Sequence, residues 1–237
     1  MEKMKKVKYI VAILFLAACS AQQKRNETFG NMIKPVKKAT QQILPQIDSI
    51  KKLIEEGDII FRGGTDIESD IIRNFSSKDK MFSHCGIALK NNGVLKITHI
   101  LGGSTNPDGT ILTQAIEDFV AYPDNESAGV YKSNLSANEL GKLHFFIDSL
   151  KKTGVLFDLK FDLFTKDKLY CTEMVIDALQ YAKKTTALFK PTIFKLKKTK
   201  YEFIANAGDN FYFYPIDVFQ KQLTAKQVIK YPNYTGR

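Results

Sequence analysis

Long apolar runs are scarce in this 237-residue chain, and the one that stands out, Tyr9–Leu16, is too short to cross a bilayer as a stable helix. Cysteine and histidine are also scarce, at three residues each. Three cysteines exclude a disulfide-dense scaffold, and three histidines leave few places for a general base. No internal repeat or low-complexity tract is present, which excludes a stacked-repeat architecture.

What surrounds the short apolar run explains it. Lys3, Lys5, Lys6 and Lys8 precede it and small residues follow, the pattern of a secretory signal that is removed from the mature chain. Its end, Leu16-Ala17-Ala18-Cys19, resembles a bacterial lipobox, which implies that Cys19 becomes the lipid-modified first residue. Two or more acyl chains would anchor the protein stably to a membrane. Ser20 after that cysteine is compatible with outer-membrane sorting, so the expected location is the bacterial cell envelope, lipid-anchored at the outer membrane and facing the periplasm. Loss of residues 1–18 removes four lysines and one glutamate, so the net charge falls from +10 to about +7. That charge suits an anionic neighbour, lipid headgroups or cell-wall polymer, and equally a solvated lysine-rich surface; an extracytoplasmic protein is not expected to meet nucleic acid.

Four segments follow: a signal over 1–18, a polar tether over 19–28, a helical extension over 29–56, and one domain over 57–237. In the extension, apolar residues from Ile33 to Ile54 recur at helical spacing, interrupted by Pro35 and Pro45. Ile59-Ile60-Phe61 reads as a buried strand, Arg62-Gly63-Gly64 as a turn, and Ser69–Phe75 as a short helix. Phe82–Leu89 reads as a strand, and Asn91-Asn92-Gly93 is a hairpin signal that returns Val94–Ile100 antiparallel to it. Gln114–Ala121 reads as a short helix and Ala128–Lys132 as a strand. Ser136 with Glu139 forms a capping box before a helix that ends near Gly154, and Leu169–Ala182 reads as a second long helix.

The hairpin carries the chemistry. His84 lies on its first strand and His99 on its second, while Cys171 stands at a helix start, where backbone N–H groups and the positive dipole end favour a thiolate. A thiol at a helix start, a histidine on a sheet and a second polar group that orients it form the general nucleophile, base and orienter arrangement. Cys85 alternates with His84 and reads as a small buried hydrophobe. An oxidising compartment would permit Cys85 and Cys171 to pair, although each has a sufficient separate explanation.

The runs GDIIFRGG (57–64), SHCGIAL (83–89), ITHIL (97–101), FDLKFDLF (157–164) and LYCTEMV (169–175) together resemble the circularly permuted papain-like amidases of bacteria, the YiiX-like group within a superfamily of cell-wall peptidases. The resemblance spans about Gly57–Phe219. It implies an α+β fold, a small antiparallel sheet packed against helices, with the histidine strand before the cysteine helix. It also implies Cys171 as nucleophile, His84 as general base and His99 in the place where the family usually has an acid; Thr98 is the alternative there. Asp58, Tyr170 and Glu173 match further family positions and are candidate supports of the site. The implied function is a cysteine hydrolase that cleaves an amide, of a peptide or of the cell wall, through a thioester and without metal or organic cofactor. The rivals are an acyl-lipid or N-acyl hydrolase or acyltransferase, and a binding protein that kept the fold without turnover.

Overall fold

The computed structural model describes residues 43–121, 124–165, 167–197, 204, 210–232 and 234. Cys19, the tether and most of the expected extension lie outside them. In chain order the elements are α1 (43–53), β1 (Ile59–Gly64), α2 (Ile67–Arg73), β2 (His84–Asn91), β3 (Val94–Ile100), β4 (Ile111–Gln114), α3 (Ile116–Phe119) and β5 (Asn125–Lys132). They continue with α4 (Ala137–Thr153), β6 (Leu156–Phe157), β7 (Lys168–Leu169), α5 (Cys171–Lys183), β8 (Thr192–Lys195), β9 (Asn210–Phe213), a 3-10 turn (Ile216–Lys221) and β10 (Thr224–Lys230). Residues Leu44–Arg237 form one compact unit.

Asn92 and Gly93 adopt φ of 52° and 79°. This left-handed pair makes the two-residue turn whose twist matches antiparallel strands, and it sets β2 against β3 in the register Ile87↔Thr98. The hairpin sits inside a six-stranded antiparallel sheet of order β10-β5-β1-β2-β3-β4. On one face, Ile59, Phe61, Cys85, Ile87, Leu89 and Ile100 pack against Met174, Val175, Ala178 and Leu179 of α5 and Leu143 and Ile147 of α4. Alternation sends Ile60, Arg62, His84 and Ala88 to the other face. Helix α4 begins at the expected Ser136–Glu139 capping box and ends at Gly154 with φ 72°.

Several boundaries differ from the sequence expectation. Arg62-Gly63-Gly64 continues β1 instead of turning, because Arg62 pairs with His84 on one side and Ala128 on the other. Gln114 ends a strand, and the helix is confined to Ile116–Phe119. Leu169 belongs to β7, so α5 starts at Cys171. Strands β8, β9 and β10 were not expected; β8 and β9 enclose a second cluster of Phe75, Tyr170, Phe211 and Phe213.

Candidate active site

Antiparallel order brings to one end of the sheet the last residues of β1 and β3 and the first of β2 and β4. Arg62 and His84 face each other across β1 and β2. His99 and Gln114 lie one diagonal further along their strands, and Cys171 opens α5 above the opposite face. Gly86 allows the strands to close here, since a Cβ at that position would lie 2.7 Å from Ile97 Cγ2 and 3.1 Å from His99 Cβ.

The two histidines are joined. His84 Nε2 lies 2.9 Å from His99 Nδ1, and His99 Nε2 lies 2.9 Å from Gln114 Oε1. The amide oxygen can only accept, so His99 carries its proton on Nε2 and presents a bare Nδ1. His84 must then donate from Nε2, which leaves its Nδ1 as the acceptor. Thr98 points away and shares a 3.3 Å contact with Thr113, so His99 is the residue that orients His84. Phe119 covers both rings, with centroids 5.7 Å from His84 and 5.0 Å from His99. Burial first, then the Arg62 charge, hold His84 well below the usual imidazole range and push His99 down to about 3. Both rings are neutral near pH 7.

Cys171 has a different set of partners. Cys85, on the same sheet face as α5, directs its thiol and its backbone N–H to the Cys171 sulfur; the Thr172 N–H and the Arg62 charge add to them. Together these donors outweigh burial and lower the Cys171 thiol, the Cys85 thiol contributing most. Burial and the neighbouring Cys171 push the Cys85 thiol well up, so it stays protonated and is the donor of the pair. Both cysteines are free. Cys85 is therefore more than a small hydrophobe: alternation correctly opposes it to His84, and that is the face on which α5 sets its first residue.

Arg62 borders both groups. Its guanidinium donates to the Phe119 carbonyl at 2.9 Å and lies 4.8 Å from the Phe119 ring centre. Sequence reading placed it in a turn and missed it, as it missed Gln114 and the polar role of Cys85.

The remaining candidates support architecture. Asp58 lies before the opposite end of β1 from Arg62; it accepts from the Glu55 N–H at 2.8 Å and from Lys226 Nζ at 2.6 Å, tying the strand entry to β10. Tyr170 is fully buried, stacks on Phe213 and accepts the Tyr214 N–H at 2.9 Å, while the Thr172 hydroxyl donates to the Tyr214 carbonyl at 2.8 Å. Glu173 accepts the Tyr170 N–H at 3.3 Å. Burial, then Asp177, Asp158 and Asp162, push its carboxyl up to about 9, so it is neutral near pH 7. A neutral group there adds no repulsion to a thiolate two residues away.

A model of permuted papain-like amidase enzymes, the YaeF/YiiX, C92 family, matches residues 53–235. The chain belongs to this family. It is thereby a member of a family of cysteine amidases and peptidases, and the expected α+β architecture is present. Among solved structures, one similar to it is that of a protein described as metalloprotein yiiX from Escherichia coli O157:H7, with a TM-score of 0.57, 18% identity, and coverage of 74% of this chain and 97% of that one. That likeness concerns the fold. No curated protein matches the sequence.

Proposed function

We propose that this C92-family chain is a cell-envelope cysteine hydrolase that cleaves an amide of a peptide or of the cell wall through a thioester on Cys171. The observation that carries the reading is the chain Gln114–His99–His84, which fixes the proton of His84 on Nε2 and leaves Nδ1 bare to accept a proton. In this reading Cys171 gives its proton to His84 Nδ1 and its sulfur attacks the carbonyl carbon. Backbone N–H groups at the start of α5 hold the oxyanion. His84 passes the proton to the leaving amine, the C–N bond breaks, and an acyl-thioester remains. Water then attacks with His84 as base, releasing the acid and restoring the thiol. His99 supplies no counter-charge to the imidazolium, which favours a thiolate prepared by Cys85, Thr172 and Arg62 over one that depends on an acid behind the histidine.

The lipobox-like Leu16–Cys19 supports placement at the envelope. Exposed apolar residues on the segment just before Cys171, Leu159 and Phe164, favour an acyl-lipid or N-acyl substrate as the second reading. The solved neighbour is described as a metalloprotein; among the described residues of this chain no group of three or more His, Cys, Asp or Glu side chains is placed to hold a metal ion, and no step here uses one. The test is a panel of peptide amides, isopeptides and N-acyl amides with acid-quenched mass spectrometry. An acyl adduct on Cys171, absent in Cys171→Ser, supports the reading, and the substrate that gives it decides between peptide and lipid. Turnover that survives Cys171→Ser overturns it.

A further inference from the structure

The segment between β6 and β7 holds apolar side chains out into solvent by construction. Buried Asp158 accepts the N–H of Lys160 at 2.8 Å and that of Asp162, and the Asp162 carboxylate accepts the N–H of Phe164 at 3.0 Å. The Thr165 hydroxyl closes the turn on the Asp162 carbonyl at 3.0 Å. Phe161, at φ 54°, turns its ring inward to within 5.5 Å of Tyr170 and 6.0 Å of Phe213. With the turn fixed from inside, Leu159 and Phe164 each stand 65% exposed.

This exposure continues onto the neighbouring hairpin. The Phe164 ring meets Tyr212 at 5.7 Å, and Tyr212 pairs across β8 and β9 with Ile193, itself 55% exposed. The other face of that hairpin is the buried cluster of Phe211 and Phe213, so the outward face is a separate apolar surface, and among the described residues no protein layer covers Leu159, Phe164 or Ile193. Its rim is basic: Lys160, Lys168 and Lys195 are exposed beside it, with Asp167 as an exposed acid. Apolar side chains on a hydrogen-bonded turn, with more exposed lysines than acids in the same segments, match the anionic headgroup region of a bilayer, where apolar burial and charge attraction add.

We propose that this face docks on an anionic lipid surface, with Leu159, Phe164 and Ile193 entering the headgroup layer and the lysines meeting lipid phosphates. The contact sets the segment leading into Cys171 against the membrane. It is independent of whether Cys171 turns over a substrate.

The chain contains no tryptophan, so Phe164→Trp in the full chain is a single reporter at this face. Phe145→Trp on α4, at an equally exposed position of 65%, controls for attachment through the N-terminal segment. With phosphatidylglycerol vesicles, Trp emission in Phe164→Trp moves to shorter wavelength and brominated acyl chains quench it. Phosphatidylcholine vesicles or high salt reduce both effects, and so does Lys160→Gln combined with Lys168→Gln and Lys195→Gln. Emission in Phe145→Trp stays unchanged. Leu159→Trp repeats the measurement from a second position. Absence of the shift in Phe164→Trp and Leu159→Trp, or an equal shift in Phe145→Trp, overturns the proposal. A shift with soluble polyglutamate and none with vesicles overturns it in favour of an anionic polymer.

Discussion

His84 can accept a proton from a thiol only if one ring nitrogen is bare and correctly aimed, and that condition is set two residues away. Gln114 accepts from His99, and His99 in turn accepts from His84. Replacing Gln114 by Leu removes the acceptor that fixes the His99 tautomer, and we expect amide turnover to fall on the order of tenfold to a hundredfold with little change in KM, measured with whichever amide the panel identifies. Cys85 acts on the other partner. Cys85→Ala removes the thiol donor to Cys171 but leaves the backbone N–H, so the rate of Cys171 alkylation against pH moves to higher pH; an unmoved curve removes Cys85 from the account. His84, His99 and Cys171 were legible in the sequence because a hairpin signal and a helix start place them. Gln114 was not, since a four-residue strand next to a one-turn helix has too little periodicity to be separated from it. Nor was the role of Cys85: alternation says which residues share a sheet face, not which face a distant helix will cover.

At the scale of elements, the site depends on β1 and β2 being held while their far ends are anchored elsewhere. Asp58 does this with Lys226 and the Glu55 N–H. Asp58→Ala leaves the Glu55 N–H without its acceptor and Lys226 with Glu55 as its remaining carboxylate, and we expect a loss of about 1–3 kcal/mol in chemical denaturation with Cys171 alkylation in the folded protein unchanged. A comparable change in alkylation would place Asp58 in the site itself. The hairpin and α4 were legible because Asn92-Gly93 and Ser136–Glu139 fix their ends by local chemistry. Strands β8 to β10 lack such marks. Strand β10, largely exposed, alternates weakly, and the lysine-rich stretch after β8 reads as a loop whatever lies beside it.

For the whole molecule, buried titratable groups set opposing pH dependences. His84 and His99 have folded-state values below the ordinary 6.5. The unfolded chain therefore binds more protons below that pH, and their contribution to stability is lost as pH falls from 6.5 towards about 3. Glu173 works in the opposite sense. Its value rises from 4.5 to about 9, so the unfolded chain releases a proton that the folded chain keeps, and stability is lost as pH rises through that interval. Glu173→Gln keeps the acceptor for the Tyr170 N–H and has no charge to lose. Thermal unfolding should show the variant gaining on the parent as pH rises from 5 to 8 and converging with it near pH 4. A constant offset across that range would mean that Glu173 is already ionised in the fold.

The central claim is that Cys171 is a prepared thiolate with His84 as its proton acceptor, and the most direct test is the rate of iodoacetamide labelling against pH, resolved by residue in mass spectrometry. We expect Cys171 to label at a pH well below that of an ordinary thiol, about 8.5, to slow in His84→Ala, and Cys85 to remain unlabelled in the folded protein. Labelling of Cys171 that follows an ordinary thiol in both proteins, or a Cys85 that reacts first, would contradict the account.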